Sequence, residues 1–472
     1  MSRIAILSVF ERKPRFICHF AQKCLYLHPN TAQGPKYCIM LLKFTVDNFR
    51  SFGKQQTLDL TASNGIKDNL GKGTSPLGIG AGTGRVVNAL ALYGANSSGK
   101  SNLLTAIHTM RFMVLDSVRL NEGDSLDYTP FLLTTRAPRP THFQAIYFEP
   151  QTRGIYTYGF EYNEDSIVKE WLSAKWPGRS EKNLFSREGR DVVIDERTYP
   201  EGIKAKELSL NNNRLFLSLA GQAGGVISNG VINWFREKLR IISGIEGSYA
   251  YSTRKRVFNN PEVKENVQAF LCKMDLGFNT IEAHKVDFET LGYPPGMPKE
   301  LIAQLKRDPL IQVSSIHKVY GESGEVASTQ AFDMDAQESA GTNKIFSLSA
   351  PLLDALNDGM TLLVDELDSQ MHPLISWRLV EMFNSTEENP HSSQLVFTTH
   401  DTNLLSSKLF RRDQIWFTEK DAVENTTLYS MMDAPEFKEK GVAPRNDTNY
   451  QKNYIQGKYG AIPFLTCDGL GK

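Results

Sequence analysis

The sequence lacks any run of about eighteen apolar residues, which excludes an ordinary membrane-spanning helix. It also lacks net charge. Because 53 basic residues balance 53 acidic ones, no global attraction to nucleic acid or to an anionic membrane follows, and only a local basic patch could supply one. Cysteine is scarce: Cys18, Cys24, Cys38, Cys272 and Cys467 include no C-x-x-C pair and are odd in number. That usage fits a reducing, cytoplasmic setting better than a disulfide framework. The spacing of Cys18, Cys24 and Cys38 matches no common zinc pattern. No internal repeat, low-complexity tract or sustained heptad is present, so solenoids and long coiled coils fall away.

What is present is a phosphate loop. Gly94-Ala95-Asn96-Ser97-Ser98-Gly99-Lys100-Ser101 reads G-x-x-x-x-G-K-S, and its flanks are those the motif needs. Val86 to Tyr93 is an apolar run with the composition of a buried strand, while Leu103, Leu104, Ile107, Met110 and Val114 recur at helical spacing. In that setting the backbone N–H groups of Asn96, Ser97, Ser98 and Gly99 wrap phosphates at a helix N-terminus. Lys100 reaches the β/γ oxygens and Ser101 offers its hydroxyl to Mg²⁺. A nucleoside triphosphate is the expected ligand. No N-K-x-D sequence for reading guanine occurs, so ATP is favoured.

At 472 residues the chain has room for roughly two to four domains. Residues 1–39 show no clean period and no leader-like cleavage pattern, and are expected to be a poorly ordered extension. Residues 40–177 form the first half of the nucleotide fold. Within them, Leu41 to Phe49 and Gln56 to Thr61 read as a hairpin, and Phe143–Glu149, Ile155–Tyr162 and Ile167–Trp176 as an antiparallel meander. Residues 178–310 change character: helix-like stretches broken by Pro261, Pro294-Pro295 and Pro309 suggest an inserted, mainly helical lobe. Its Arg254-Lys255-Arg256 cluster reads first as a solvated charge group and second as a nucleic-acid contact. Residues 311–472 return to core signals, with a hairpin over Ile311–Tyr320 and Val326–Met334.

The second half of the site follows. Thr361 to Val364 is an apolar strand ending in Asp365-Glu366, the form of a Walker B segment, in which the first carboxylate holds Mg²⁺ and the second polarises the attacking water. A helix over Pro373–Phe383 and a buried strand over Gln394–Thr399 complete a βαβ unit ending in His400. Taken singly, Asp365-Glu366 could be a solvated pair and His400 a hydrogen-bonded structural histidine. Their order behind the phosphate loop, at the carboxyl edge where open α/β sheets bind ligands, favours function.

These motifs resemble those of the ABC-type head ATPases of the SMC, RecF and OLD group. Leu42 to Phe52 is similar to their opening strand, Gly94–Ser101 to Walker A, and Ser339-Ala340-Gly341-Thr342 to a degenerate signature. Leu362–Asp368 looks like Walker B running into the D-loop, and Phe397–Asp401 like the switch-histidine segment. Within the group the pattern, including Gly457–Pro463, is most similar to the RloA-like and AbiLi-like ATPases of phage-defence loci. The resemblance implies an α/β P-loop ATPase head with an antiparallel subdomain and an inserted helical lobe. It also implies ATP and Mg²⁺ as cofactors, Glu366 as base, His400 as γ-phosphate sensor and Asp368 in the D-loop. ATP sandwiched between heads implies a homo-dimer or higher homo-oligomer, with Ser339 and Gly341 contacting the γ-phosphate in trans. Ala340 departs from the signature, and no glutamine is assigned as the Q-loop, Gln144 being the one candidate. The expected role is a switch or motor in anti-phage defence with a separate toxin or nuclease as effector, no membrane and possible nucleic-acid contact. A RecF-like DNA-repair ATPase and a nucleotide-binding scaffold with little turnover are the alternatives.

Overall fold

A computed structural model describes residues 39–463, apart from 65, 67–72, 78–83, 136, 244–247, 289–291, 294–295 and 436–448. The expected N-terminal extension with Cys18, Cys24 and Cys38 therefore falls outside the described residues, as does Cys467. The chain folds as two compact units. One is Arg254–Asn343, and the other comprises the described residues of Tyr37–Thr253 and Lys344–Lys472.

The larger unit holds two principal sheets. The first is antiparallel and contains β1 (Met40–Asp47), β2 (Gln56–Asp59), β6 (Thr141–Glu149), β7 (Gly154–Tyr162), β8 (Ile167–Lys175), β9 (Lys182–Glu188) and β10 (Asp191–Ile194). Its order is β10-β9-β8-β7-β6-β1-β2. Strands such as β6 alternate buried and partly exposed residues because one face meets the core, whereas β1 is buried on both faces. Phe44, Phe143, Tyr158 and Phe160 from that face share a core with Leu103, Leu104 and Ile107.

The second sheet is built from β5 (Ala89–Tyr93), β11 (Leu239–Ile242), β15 (Thr361–Val364), β16 (Gln394–Thr398), β17 (Ile415–Lys420) and β18 (Thr426–Ser430), in the order β11-β15-β16-β5-β17-β18. All its pairings are parallel except β17–β18. Every residue of β5, β15 and β16 is buried, which is what continuous apolar runs in a covered parallel sheet produce. Helix α1 (Lys100–Asp116) follows β5. Strands β15 and β16 are joined through a helix at Pro373–Asn384 that starts with proline and is capped by His372, whose Nδ1 accepts the Leu374 N–H. Because β16 lies between β5 and β15, the segments leaving all three strands emerge side by side.

Two details differ from expectation. The run Val86–Tyr93 is not one strand: β3 (Thr74–Pro76) pairs with β4 (Arg85–Val87), and Asn88 breaks away before β5. Asn88 is buried, its N–H bonded to Gly73 O and its Oδ1 accepting from Ser75 Oγ, so the break is held by polar contacts. Second, β9 and β10 fall where a helical lobe was expected. They extend the antiparallel sheet, since Arg187 of β9, fully buried, pairs with the equally buried Glu170 of β8.

The smaller unit mixes strands and helices, and two of its three strands lie beyond the 178–310 span expected to be mainly helical. It contains β12 (Thr280–Lys285), β13 (Ile311–Tyr320) and β14 (Val326–Asp333) in that order, with helices at Pro261–Cys272 and Lys299–Arg307. The expected hairpin is β13–β14. Arg254 makes a two-pronged pair with Asp335, and Lys255 an ion pair with Asp308 at 2.7 Å. The cluster is therefore paired with carboxylates of its own unit and only partly exposed, where a freely solvated charge group was expected.

Candidate functional site

The loop between β5 and α1 turns on Gly99, whose φ of 109° is one that side-chain-bearing residues avoid. A Cβ there would also strike the Thr426 side chain and Ser51 Oγ. Ser97 is left-handed too, with φ 62°. The loop is braced from behind: Ser98 Oγ bonds Thr418 Oγ1 at 2.6 Å, and Thr426 Oγ1 donates to Ser98 O at 2.8 Å. The Ser51 turn joins this brace, because Asn102 donates to Ser51 Oγ and Thr426 N–H to Ser51 O. Asn96 and Ser97 stay exposed while Ser98, Gly99 and Lys100 are buried. Helix α1 begins with no side-chain cap and no acidic residue in its first turn, so its leading N–H groups keep the partial positive charge that attracts anions.

Lys100 Nζ donates to Gly94 O and Ala95 O at 2.9 and 3.0 Å. Burial pushes its ammonium down to about 8, against the opposing pull of Asp365, Glu366 and Asp368. Across the loop, Ser101 Oγ donates to Asp365 Oδ1 at 3.1 Å, and Thr398 Oγ1 donates to the same oxygen at 2.5 Å. Thr398 in turn accepts the Glu366 N–H at 2.7 Å. One hydroxyl thus ties both residues leaving β15 to β16, Asp365 through its carboxylate and Glu366 through its backbone N–H.

Asp368 lies in the turn that follows, where its Oδ2 accepts the His400 N–H at 3.3 Å and its Oδ1 is buried without a partner. Burial lowers the His400 pKa, with Lys100 acting the same way and the three carboxylates opposing. The imidazole is therefore neutral near pH 7, and can accept or donate one hydrogen bond. Next to His400 in the chain, the Asp401 carbonyl accepts from Tyr93 OH at 3.2 Å.

The structure brings the phosphate loop, Ser101, Asp365, Glu366, Asp368 and His400 together. Ser339 and Gly341 belong to the smaller unit, at the start of α2 (Ala340–Asp358), where Ser339 Oγ accepts the Thr342 N–H at 3.0 Å. Gln144 accepts from Trp171 Nε1 at 3.2 Å within the antiparallel sheet, a structural bond. Sequence reasoning missed Thr398 and Lys344. Lys344 Nζ donates to Glu366 O at 2.6 Å and to Ser369 Oγ.

The donor set suits a hard cation: a hydroxyl and a carboxylate oxygen already share one locus at Ser101 and Asp365. Among the described residues no cluster of three or more His, Cys, Asp or Glu could hold a metal by itself, so phosphate and water oxygens would complete such a shell, the usual habit of Mg²⁺.

A family model described as "AAA domain, putative AbiEii toxin, Type IV TA system" matches residues 89–406. No curated protein matches the sequence. Similar solved structures include the SMC head domain from Thermotoga maritima, 11% identical with a TM-score of 0.36, covering 83% of this chain and 98% of that one. The recombination mediator RecF with ATP is 12% identical with a TM-score of 0.31, covering 85% of this chain and 100% of that one.

Proposed function

We propose that this chain, which belongs to the AAA-domain family whose model spans residues 89–406, is a Mg²⁺-dependent ATPase that works as a head of the ABC type. The observation that carries the reading is the convergence on Asp365 Oδ1 of Ser101, from the phosphate loop, and Thr398, from the strand that precedes His400. Lys100 exchanges its two loop carbonyls for β/γ-phosphate oxygens, and the open N-terminus of α1 takes further oxygens. Ser101 and Asp365 would hold the metal, and bound Mg²⁺ would neutralise charge developing on the phosphates. Glu366 accepts the proton of the water that attacks the γ-phosphorus while the β–γ bridging oxygen leaves with ADP. His400, neutral, hydrogen-bonds the γ-phosphate, and Asp368 lies in the turn that reports its presence.

In this reading Ser339 and Gly341 of a second copy close over the γ-phosphate, so ATP joins two heads. Light scattering of Glu366→Gln protein with ATP tests this. A doubling of mass on adding ATP, abolished by Ser339→Arg, is expected; a mass unchanged by ATP counts against the sandwich. We further propose a role in defence or growth control, supported by the toxin–antitoxin description of the family model, with the effector acting in trans. The acidic cluster Asp365, Glu366 and Asp368 is already committed to ATP, leaving it unfit for a separate two-metal nuclease centre. Purified protein with ATP and Mg²⁺ should leave plasmid, single-stranded DNA and tRNA intact. Cutting that Lys100→Ala abolishes would refute the separate effector, and tight ATP-dependent loading on DNA would favour the RecF-like alternative. Absence of steady-state phosphate release would leave a nucleotide-binding scaffold.

A further inference from the structure

We infer that Lys344 is a positioning residue for hydrolysis: with Thr398 it holds the backbone of Glu366 in the strained conformation that presents its carboxylate. The inference rests on Glu366 being the base. Glu366 has a φ of 50°, a left-handed conformation that a residue with a side chain keeps only when its surroundings over-determine it. Both of its backbone polar groups are pinned. Its N–H is donated to Thr398 Oγ1 at 2.7 Å, and its carbonyl accepts Lys344 Nζ at 2.6 Å together with the Ser369 N–H at 3.1 Å. Lys344 also donates to Ser369 Oγ, so one ammonium clamps the first and last residues of the turn.

The choice of atoms matters. Lys344 binds the carbonyl of Glu366, and the Glu366 carboxylate has no hydrogen-bond partner among the described residues and stays exposed. A lysine bonded to that carboxylate would hold it in an ion pair and lower its basicity, whereas one bonded to the carbonyl fixes the backbone and leaves the base available. Lys344 lies in the early turns of α2, and Thr398 ends β16. Two elements remote in sequence therefore grip one residue from opposite sides. Loss of either grip would let the Glu366 backbone relax toward ordinary φ values and swing its carboxylate away from the water it must polarise.

A double-mutant cycle on the full chain tests this, using Lys344→Met, Glu366→Gln and the pair, with steady-state phosphate release and titration of a fluorescent ATP analogue as readouts. Lys344→Met should lower kcat by roughly 10- to 10²-fold, the scale of a small misplacement of a catalytic group, and leave analogue affinity within about twofold. In the Glu366→Gln background the same substitution should change kcat by less than about twofold, because its effect passes through Glu366. Lys344→Arg should recover part of the rate. Should Lys344→Met fail to fold by circular dichroism, Lys344→Gln takes its place in the cycle. An unchanged rate in Lys344→Met, an equal loss in both backgrounds, or loss of analogue binding overturns the inference. If Glu366→Gln alone hydrolyses normally, the base assignment fails first and the inference falls with it.

Discussion

The two large sheets bury their strands differently, and the difference separates stability from chemistry. In the antiparallel sheet, side chains alternate across the pleat and the buried face supplies much of the core, down to a fully buried ion pair between Glu170 and Arg187. In the parallel sheet, the central strands β5, β15 and β16 are buried throughout, and what varies is their ends: the segments that follow them carry the polar groups. A sheet covered on both faces leaves its carboxyl edge as the place where loops from several strands can meet a ligand. Substitutions in the first sheet should move unfolding without touching turnover per folded molecule. Those at the edge of the second should do the reverse.

The sharpest cut across this division is Glu366→Gln, expected to slow hydrolysis by roughly 10²–10⁴-fold with ATP still bound, the usual span for a lost general base. Phosphate release and analogue titration on the same preparation decide it, and normal turnover would remove the assignment. On the other side, Glu170→Ala should cost about 3–5 kcal/mol of stability, the scale for orphaning a buried partner. Its carboxylate also accepts the Phe216 and Leu217 N–H groups and Tyr158 OH, so several donors lose their acceptor at once. Denaturant unfolding should show the loss while kcat per folded molecule stays unchanged; a kcat that falls in step would erase the division.

Lys100→Ala should weaken triphosphate binding by roughly 10²-fold, the lower end of what removing a charge from a buried ionic contact costs. Equal affinity in wild type and variant would remove the phosphate-loop assignment. A smaller effect concerns pH. With the Lys100 ammonium lowered to about 8, raising pH from 7 to 9.5 deprotonates it, and analogue affinity should decline by roughly 10- to 20-fold. Unfolding does not explain such a decline. A lysine whose folded pKa lies below its unfolded value binds more protons when unfolded, so between about 8 and its unfolded value this group makes the fold more stable as pH rises. Flat affinity across that range would mean that Lys100 does not titrate there.

The carboxyl edge was legible in the sequence because its chemistry lies in contiguous motifs: Gly94–Ser101 and Asp365-Glu366 each follow an apolar run that announces a strand. The groups that steady those motifs were not. Thr398 acts through contacts to Asp365 and Glu366, and Lys344 through contacts to Glu366 and Ser369, and neither hydroxyl nor ammonium has a period or spacing that would mark it. The same holds for Ser51 and Thr426 behind the phosphate loop. Strand β9 was hidden for a related reason. Its alternation is broken by the adjacent buried pair Leu184 and Phe185, and the buried Arg187 reads as a surface residue until Glu170 is known to face it. Asn88 interrupts an otherwise apolar run, and only its bonds to Gly73 and Ser75 show the interruption to be a break between strands.

The order of the parallel sheet has a consequence for how the protein is made. Strand β5 lies between β16 and β17, and the buried amide of Gln414 bonds the carbonyl of Ala89, 325 residues earlier in the chain. At synthesis rates of about 5–20 residues per second, that interval keeps β5 waiting for on the order of tens of seconds before its neighbours leave the ribosome. During that time Leu90 and Leu92, which end fully buried, have no sheet to enter, and the phosphate loop has no wall of Thr418 and Thr426 to rest on. Ribosome-stalled chains ending before β16 should bind chaperones and not ATP, and nucleotide binding should appear only in chains long enough to expose β18.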